Sequence, residues 1–181
     1  HPIDVNGIHK LAAENYHSLY YDVYGIQSVI LQLTNTYAPR QLVKHNRQGF
    51  TGTFIRQAVE GKTIQLFGTG EQRRDFNYID DVIDALLIVG ENPKLVGNTY
   101  NLGAPQSYSL KEFVLCLKEL CHFEFEIIPF PEENKKIDIG DYYSDYRFFN
   151  KETDWSPQVS LNTGLAECVK YYKEMGHYYW D

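Results

Sequence analysis

The 181-residue chain is 43% hydrophobic and 15% aromatic, with a formal net charge of −7. That is material for one core, or one and a half domains, not for several. The acidic balance excludes a non-specific nucleic-acid binder, and no apolar run approaches the ~20 residues a membrane helix needs.

Asp4 to Tyr24 reads as one long helix, with Asp4 as N-cap and Gly25 as the residue that ends it. Ile8, Leu11, Ala12, Asn15, Leu19 and Val23 follow helical spacing, and Tyr16, Tyr20 and Tyr24 run beside them. Two such faces predict burial on both sides, or a partner helix. Ser28 to Leu33 is a buried-type strand that leads into Thr34-Asn35-Thr36-Tyr37-Ala38-Pro39-Arg40. Gln41 to Gly49 is a polar, basic loop, and Phe50 to Val59 a helix closed by Glu60-Gly61. Basic residues cluster at Arg40, Lys44 and Arg47, at Arg73 and Arg74, and at Lys135 and Lys136. In an acidic protein such clusters suit an anionic small ligand, and a helix start beside a basic loop suits phosphate.

The chain is organised around Phe67 to Val82. A short apolar run, Ile64 to Phe67, ends in the turn Gly68-Thr69-Gly70. Gln72 to Tyr78 alternates as a strand, with Arg74, Phe76 and Tyr78 on one face, and Asp80 and Asp81 suit the start of the helix that follows. On pattern alone this is equally a solvated hairpin with two surface arginines.

Further on, Thr99 to Leu102 is a strand closed by Gly103, Ser109 caps a helix from Leu110 to Cys121, and Phe123 to Ile128 alternates as a strand. Asp154-Trp155-Ser156-Pro157 precedes a last helix, Leu161 to Glu174, capped by Ser160, and an aromatic tail. Cys116, Cys121 and Cys168 are odd in number and form no Cys-x-x-Cys, which predicts free thiols in a reducing, cytoplasmic compartment. No signal-peptide pattern is visible. The chain opens on His1 and its one methionine is Met175, so it is expected to be a piece of something longer.

Taken in order, five motifs resemble the second half of the NAD-dependent epimerase/dehydratase family, the extended short-chain dehydrogenase/reductase enzymes that act on nucleotide sugars. They are the Asn6–Lys10 helix start with Ala13-Glu14, the Asn35 to Arg40 segment, Gly68 to Val82, Tyr100 to Gly103, and Asp154 to Pro157. The resemblance runs from Asp4 to about Leu165. It implies an α/β fold: the end of a Rossmann-type parallel-sheet domain in residues 1–33, and a smaller α/β substrate-binding lobe in 34–181. Residues 80–103 are candidates to return to the Rossmann layer. The family's glycine-rich dinucleotide fingerprint and its catalytic Ser/Thr belong to a half that precedes His1.

The resemblance also implies roles. Arg74 contacts the diphosphate of a nucleoside-diphosphate sugar, with Lys135 on its second side; lysine there is a point charge, not a fork. Asn35 reaches the sugar nucleotide, and Gln65 and Phe67 carry the backbone beside its base. Lys10 binds the nicotinamide ribose of NAD, with NADP less favoured, and Thr34 and Tyr37 flank the nicotinamide. No metal is expected. The helix at 4–24 is the expected homodimer contact. One departure is chemical: the family's catalytic tyrosine, four residues before the lysine, is Asn6 here. An amide does not titrate near neutral pH, so either another group moves the proton or hydride chemistry is altered or lost. His9 and Tyr16 are the substitutes nearby, His9 the weaker because it points about 100° away from Lys10.

Overall fold

The computed structural model describes residues 2–44, 49–136 and 138–180. Its first helix, α1 (Val5–Tyr24), starts where Asp4 accepts the Gly7 N–H at 2.7 Å and ends where Gly25 turns left-handed at φ 66. Both ends are as the sequence places them. The expected burial does not occur within this chain: no residue of α1 is buried, and Val5, Ile8, Leu19, Val23 and Tyr24 are all exposed. The helix is held by polar and edge contacts, chiefly Gln32 Nε2 donating to Glu14 Oε2 at 2.8 Å.

Gln32 belongs to β1 (Ile30–Gln32), which pairs in parallel with β5 (Thr99–Asn101), Leu31 opposite Tyr100. Around this pair lies a core of Ala85, Leu95, Tyr100, Leu102, Phe149 and Trp155. It draws on α3 (Ile79–Glu91) and α6 (Arg147–Thr153) as well as on the strands. This core gathers segments from far along the sequence, α3 and 147–155 among them.

The second core is larger. Its centre is β4 (Arg73–Tyr78), flanked by β2 (Asn35–Tyr37) in parallel and β6 (Ser107–Ser109) antiparallel. Residues 74–78 are buried without a break, so β4 is covered on both faces and the surface-hairpin alternative is excluded. The Asn35 to Tyr37 segment, which follows the expected strand Ser28 to Leu33, is itself a short strand because β4 offers it a ladder of backbone partners. Beside this sheet, β3 (Ile64–Phe67) and β7 (Phe125–Ile128) pair in parallel. The helices α2 (Phe50–Val59), α4 (Leu110–Leu120) and α7 (Leu161–Met175) cover them. Phe76 and Phe113 meet with centroids 4.7 Å apart; each buried ring of this size contributes ~1.5–3 kcal/mol.

Two fastenings fix the helices to the sheet. Ser109 and Glu112 form a reciprocal capping box, Glu112 N donating to Ser109 Oγ at 3.0 Å and Ser109 N to Glu112 Oε2 at 2.6 Å. Asp81, read as serving its own helix start, instead accepts Gln158 N at 2.8 Å and Val159 N at 3.1 Å, while Trp155 Nε1 donates to the Asp81 carbonyl. The Asp154–Pro157 motif is thus latched to α3. The three cysteines are free, Cys121 and Cys168 buried. Burial, then the Glu167 charge, pushes the Cys168 thiol up to about 12, so it packs and does not react. Among the described residues no helix is long and apolar enough to cross a membrane.

Candidate nucleotide-sugar site

Because β4 is the middle strand, Arg74 is set into the body of the protein and not on a turn: only 9% of it is exposed. Its Nη1 donates to the Arg73 carbonyl at 2.8 Å and to the Gly140 carbonyl. Burial pulls its ionisation below the ordinary guanidinium value, while Asp138, Asp141 and Asp75 pull it back up. Arg73 faces the other way: its Nε donates to Ser107 Oγ at 3.0 Å, and its Nη1 lies 3.6 Å from Glu112 Oε2. The two adjacent arginines therefore sit differently, one buried against the Arg73 and Gly140 carbonyls and one holding β6 and α4.

Asn35 lies opposite Phe76 on the neighbouring strand, and its Nδ2 donates to the Asp75 carbonyl at 2.9 Å. The strand pairing thus brings Asn35 and Arg74, 39 positions apart in the chain, to adjacent strands. Thr34 donates from Oγ1 to Asn77 Oδ1 at 2.8 Å, and remains at the strand end. Tyr37 is different. It is 1% exposed, its hydroxyl lies 3.4 Å from the Leu161 carbonyl, and burial raises its ionisation far above the ordinary phenol value. A Cβ on Gly164 would sit 2.2 Å from that hydroxyl, so the packing has no slack. The Tyr37 side chain is a core residue, and only its backbone is left to meet a cofactor.

Gln65 is exposed and donates to Glu126 Oε1 at 2.8 Å, while Phe67 packs on Phe130 with centroids 5.6 Å apart. Both lie on β3, paired on one side with β7. Lys135 is exposed at the end of a short helix, α5 (Glu132–Lys135), and three residues beyond it Asp138 accepts Gln72 Nε2 at 2.7 Å. The groups whose charge reaches Arg74 from this segment are Asp138 and Asp141. Of the basic cluster at 40–47, Arg47 lies outside the described residues.

Sequence reasoning missed Asp75. It is fully buried, and its Oδ2 accepts Ala104 N and Ser144 N, both at 3.1 Å. One carboxylate thereby pins the turn after β5 and the 140–144 segment to the strand that carries Arg74. The close approach needs Gly103: a Cβ there would lie 2.4 Å from the Ser144 carbonyl. The only signal in the sequence was its place beside Arg74. Burial raises the Asp75 carboxyl above the ordinary aspartate value, against the N–H groups of Ser144 and Ala104, which favour the anion.

Lys10 lines a cavity of about 700 Å³ together with Leu11, Glu14, Leu31, Leu33 and Tyr142. The cavity thus holds a cation, Lys10, and a carboxylate, Glu14, beside Leu11, Leu31 and Leu33 at the end of β1. Asn6 is exposed and is not among the residues lining it. A second cavity of about 540 Å³, between α3 and α7, includes none of the candidate site residues.

A parallel strand pair with a lysine-bearing helix on it, joined to a second sheet that buries an arginine, is a Rossmann-type α/β arrangement. More particularly, the chain belongs to the NAD dependent epimerase/dehydratase family, whose model matches residues 1–103. It is 30% identical over 174 residues to UDP-glucuronic acid decarboxylase 1 of Xenopus tropicalis, covering 93% of this chain and 39% of that protein. Among solved structures it is similar to the UDP-glucose 4-epimerase of Thermotoga maritima with UDP-glucose, at TM-score 0.83 and 28% identity, over 93% of this chain and 53% of the other. The UDP-glucuronic acid 4-epimerase of Bacillus cereus, solved with UDP-glucuronic acid and NAD, matches at TM-score 0.83 and 26% identity, over 97% and 54%. The chain spans about half the length of the curated relatives it matches.

Proposed function

We propose that this chain is the carboxyl-terminal part of an NAD-dependent nucleoside-diphosphate-sugar epimerase or dehydratase. The observation that carries the reading is the pairing of β2 with β4, which sets Asn35 beside the strand of the buried Arg74. Arg74 has one nitrogen committed to carbonyls, and its planar fork suits a diphosphate. The backbone of β3 at Gln65 and Phe67 runs beside the base, and Lys135 supplies a second, less directional charge. Lys10 holds the nicotinamide ribose, with Thr34 and the Tyr37 backbone flanking it. NAD would supply the hydride acceptor and donor, by way of a keto sugar. The exposed apolar face of α1 is matched to a homodimer contact.

Asn6 favours a second reading: a sugar-nucleotide-binding protein of the same fold without redox turnover. Both readings are tested on the full-length protein with NAD and UDP-, dTDP-, GDP- and CDP-sugars, by NADH absorbance and chromatography of the sugar products. Conversion of any one supports the enzyme. Binding of a sugar nucleotide with conversion of none supports the second reading.

A further inference from the structure

The cavity lined by Lys10 takes its walls from α1, from Pro2 just before it and from the β1 segment, and one more from far along the chain: Tyr142. Its backbone is firmly placed. Tyr142 N donates to the Arg73 carbonyl at 3.0 Å, and the residue bridges in parallel to Arg74. On one side of it Arg73 N donates to Asp141 Oδ1 at 2.8 Å, and on the other Ser144 N donates to Asp75. The segment is hydrogen-bonded to β4 before and after Tyr142, which fixes the backbone that carries the phenol. The residue is 46% exposed within this chain.

The substitutes on α1 fail on geometry. At about 100° per residue, Gly7, Lys10, Leu11 and Glu14 share an arc of about 100°, and these are the α1 residues that line the cavity. His9 and Tyr16 project from roughly the opposite side of the helix, away from Lys10.

We propose that Tyr142 is the proton-transferring phenol of this protein, standing in for the residue that Asn6 replaces; the inference rests on the hydride-transfer reading above. As the sugar carbinol is oxidised, its C–H electron pair leaves with the hydride to the nicotinamide. The O–H pair becomes the second bond of the carbonyl, and the proton passes to Tyr142 Oη, whose own proton has gone to solvent beforehand. In the return step Oη gives that proton back to the carbonyl oxygen as the hydride re-enters. Lys10 lines the same cavity, as does the Glu14 carboxylate.

The test uses full-length protein carrying Tyr142→Phe, with Tyr143→Phe as control; Tyr143 is 60% exposed and is not among the residues lining the cavity. Tyr142→Phe should lower kcat by about 10²–10⁴-fold, with UDP affinity by calorimetry unchanged. Tyr143→Phe should leave kcat close to wild type. A second readout needs no turnover: nitration by tetranitromethane, mapped by peptide mass spectrometry, should be suppressed at residue 142 by NAD and unaffected at residue 143. Wild-type-like kcat in Tyr142→Phe, or equal nitration of residue 142 with and without NAD, overturns the inference and leaves the epimerase or dehydratase reading standing. A wild-type protein that binds UDP but converts none of the four sugar nucleotide classes overturns that reading and the inference with it.

Discussion

Replacing Arg74 by alanine in the full-length protein should weaken UDP binding by ~30–150-fold. The figure follows from a charge-assisted, fork-type bond to phosphate, worth ~2–3 kcal/mol when lost, in a side chain only 9% exposed and therefore little screened by solvent. The same substitution releases the Gly140 carbonyl, so part of the loss could come from loosening the 138–144 segment. Arg74→Lys separates the two. It keeps the charge but not the fork, and should recover part of the affinity and little of the geometry. Arg73→Ala is the internal comparison. Its guanidinium is spent on Ser107 and Glu112, so it should cost thermal stability and leave UDP affinity within about threefold, by the near-neutral behaviour of residues outside a binding contact. Calorimetry with UDP gives the affinities and thermal unfolding the stabilities. Equal losses of affinity in Arg73→Ala and Arg74→Ala would refute the assignment of the two side chains to opposite faces of β4.

Three further outcomes follow from the same geometry. Ser109→Ala removes the Oγ that accepts the Glu112 N–H, while the N–H of residue 109 can still donate to Glu112, and should cost ~1 kcal/mol, a Tm drop of about 2–4 °C; an unchanged Tm would mean the cap is not held in solution. Because the folded Asp75 carboxyl binds its proton more tightly than an unfolded one, its contribution to stability is present at low pH and lost as pH rises through its folded value. The Tm of wild type minus that of Asp75→Asn should therefore shrink as pH is raised above 3.8, and a flat difference would contradict the burial argument. Residues 1–181 alone should show no micromolar NAD binding by calorimetry, since Lys10 and the Asn35 segment reach only the nicotinamide end; a micromolar Kd would show the fragment reading to be wrong.

What the sequence by itself determined was local. Asp4, Gly25, Ser109 and Ser160 mark helix ends through hydrogen bonds made within a turn, and each stands where the sequence places it. The family motifs were legible because they are contiguous and ordered, which was enough to single out Arg74, Asn35 and Lys10. Only the tertiary structure decided what depends on partners distant in the chain. Tyr37 sits in a motif next to Asn35, yet packing against Leu161 and Gly164 takes its side chain into the core. Asp81 looks like a helix cap and is a latch for Gln158 and Val159. Asp75 looks like an appendage of Arg74 and fastens two loops 29 and 69 positions away. Tyr142 carries no motif at all. It enters the cavity of Lys10 because the 140–144 segment folds back along β4, and a long-range pairing of that kind leaves no periodicity in the sequence.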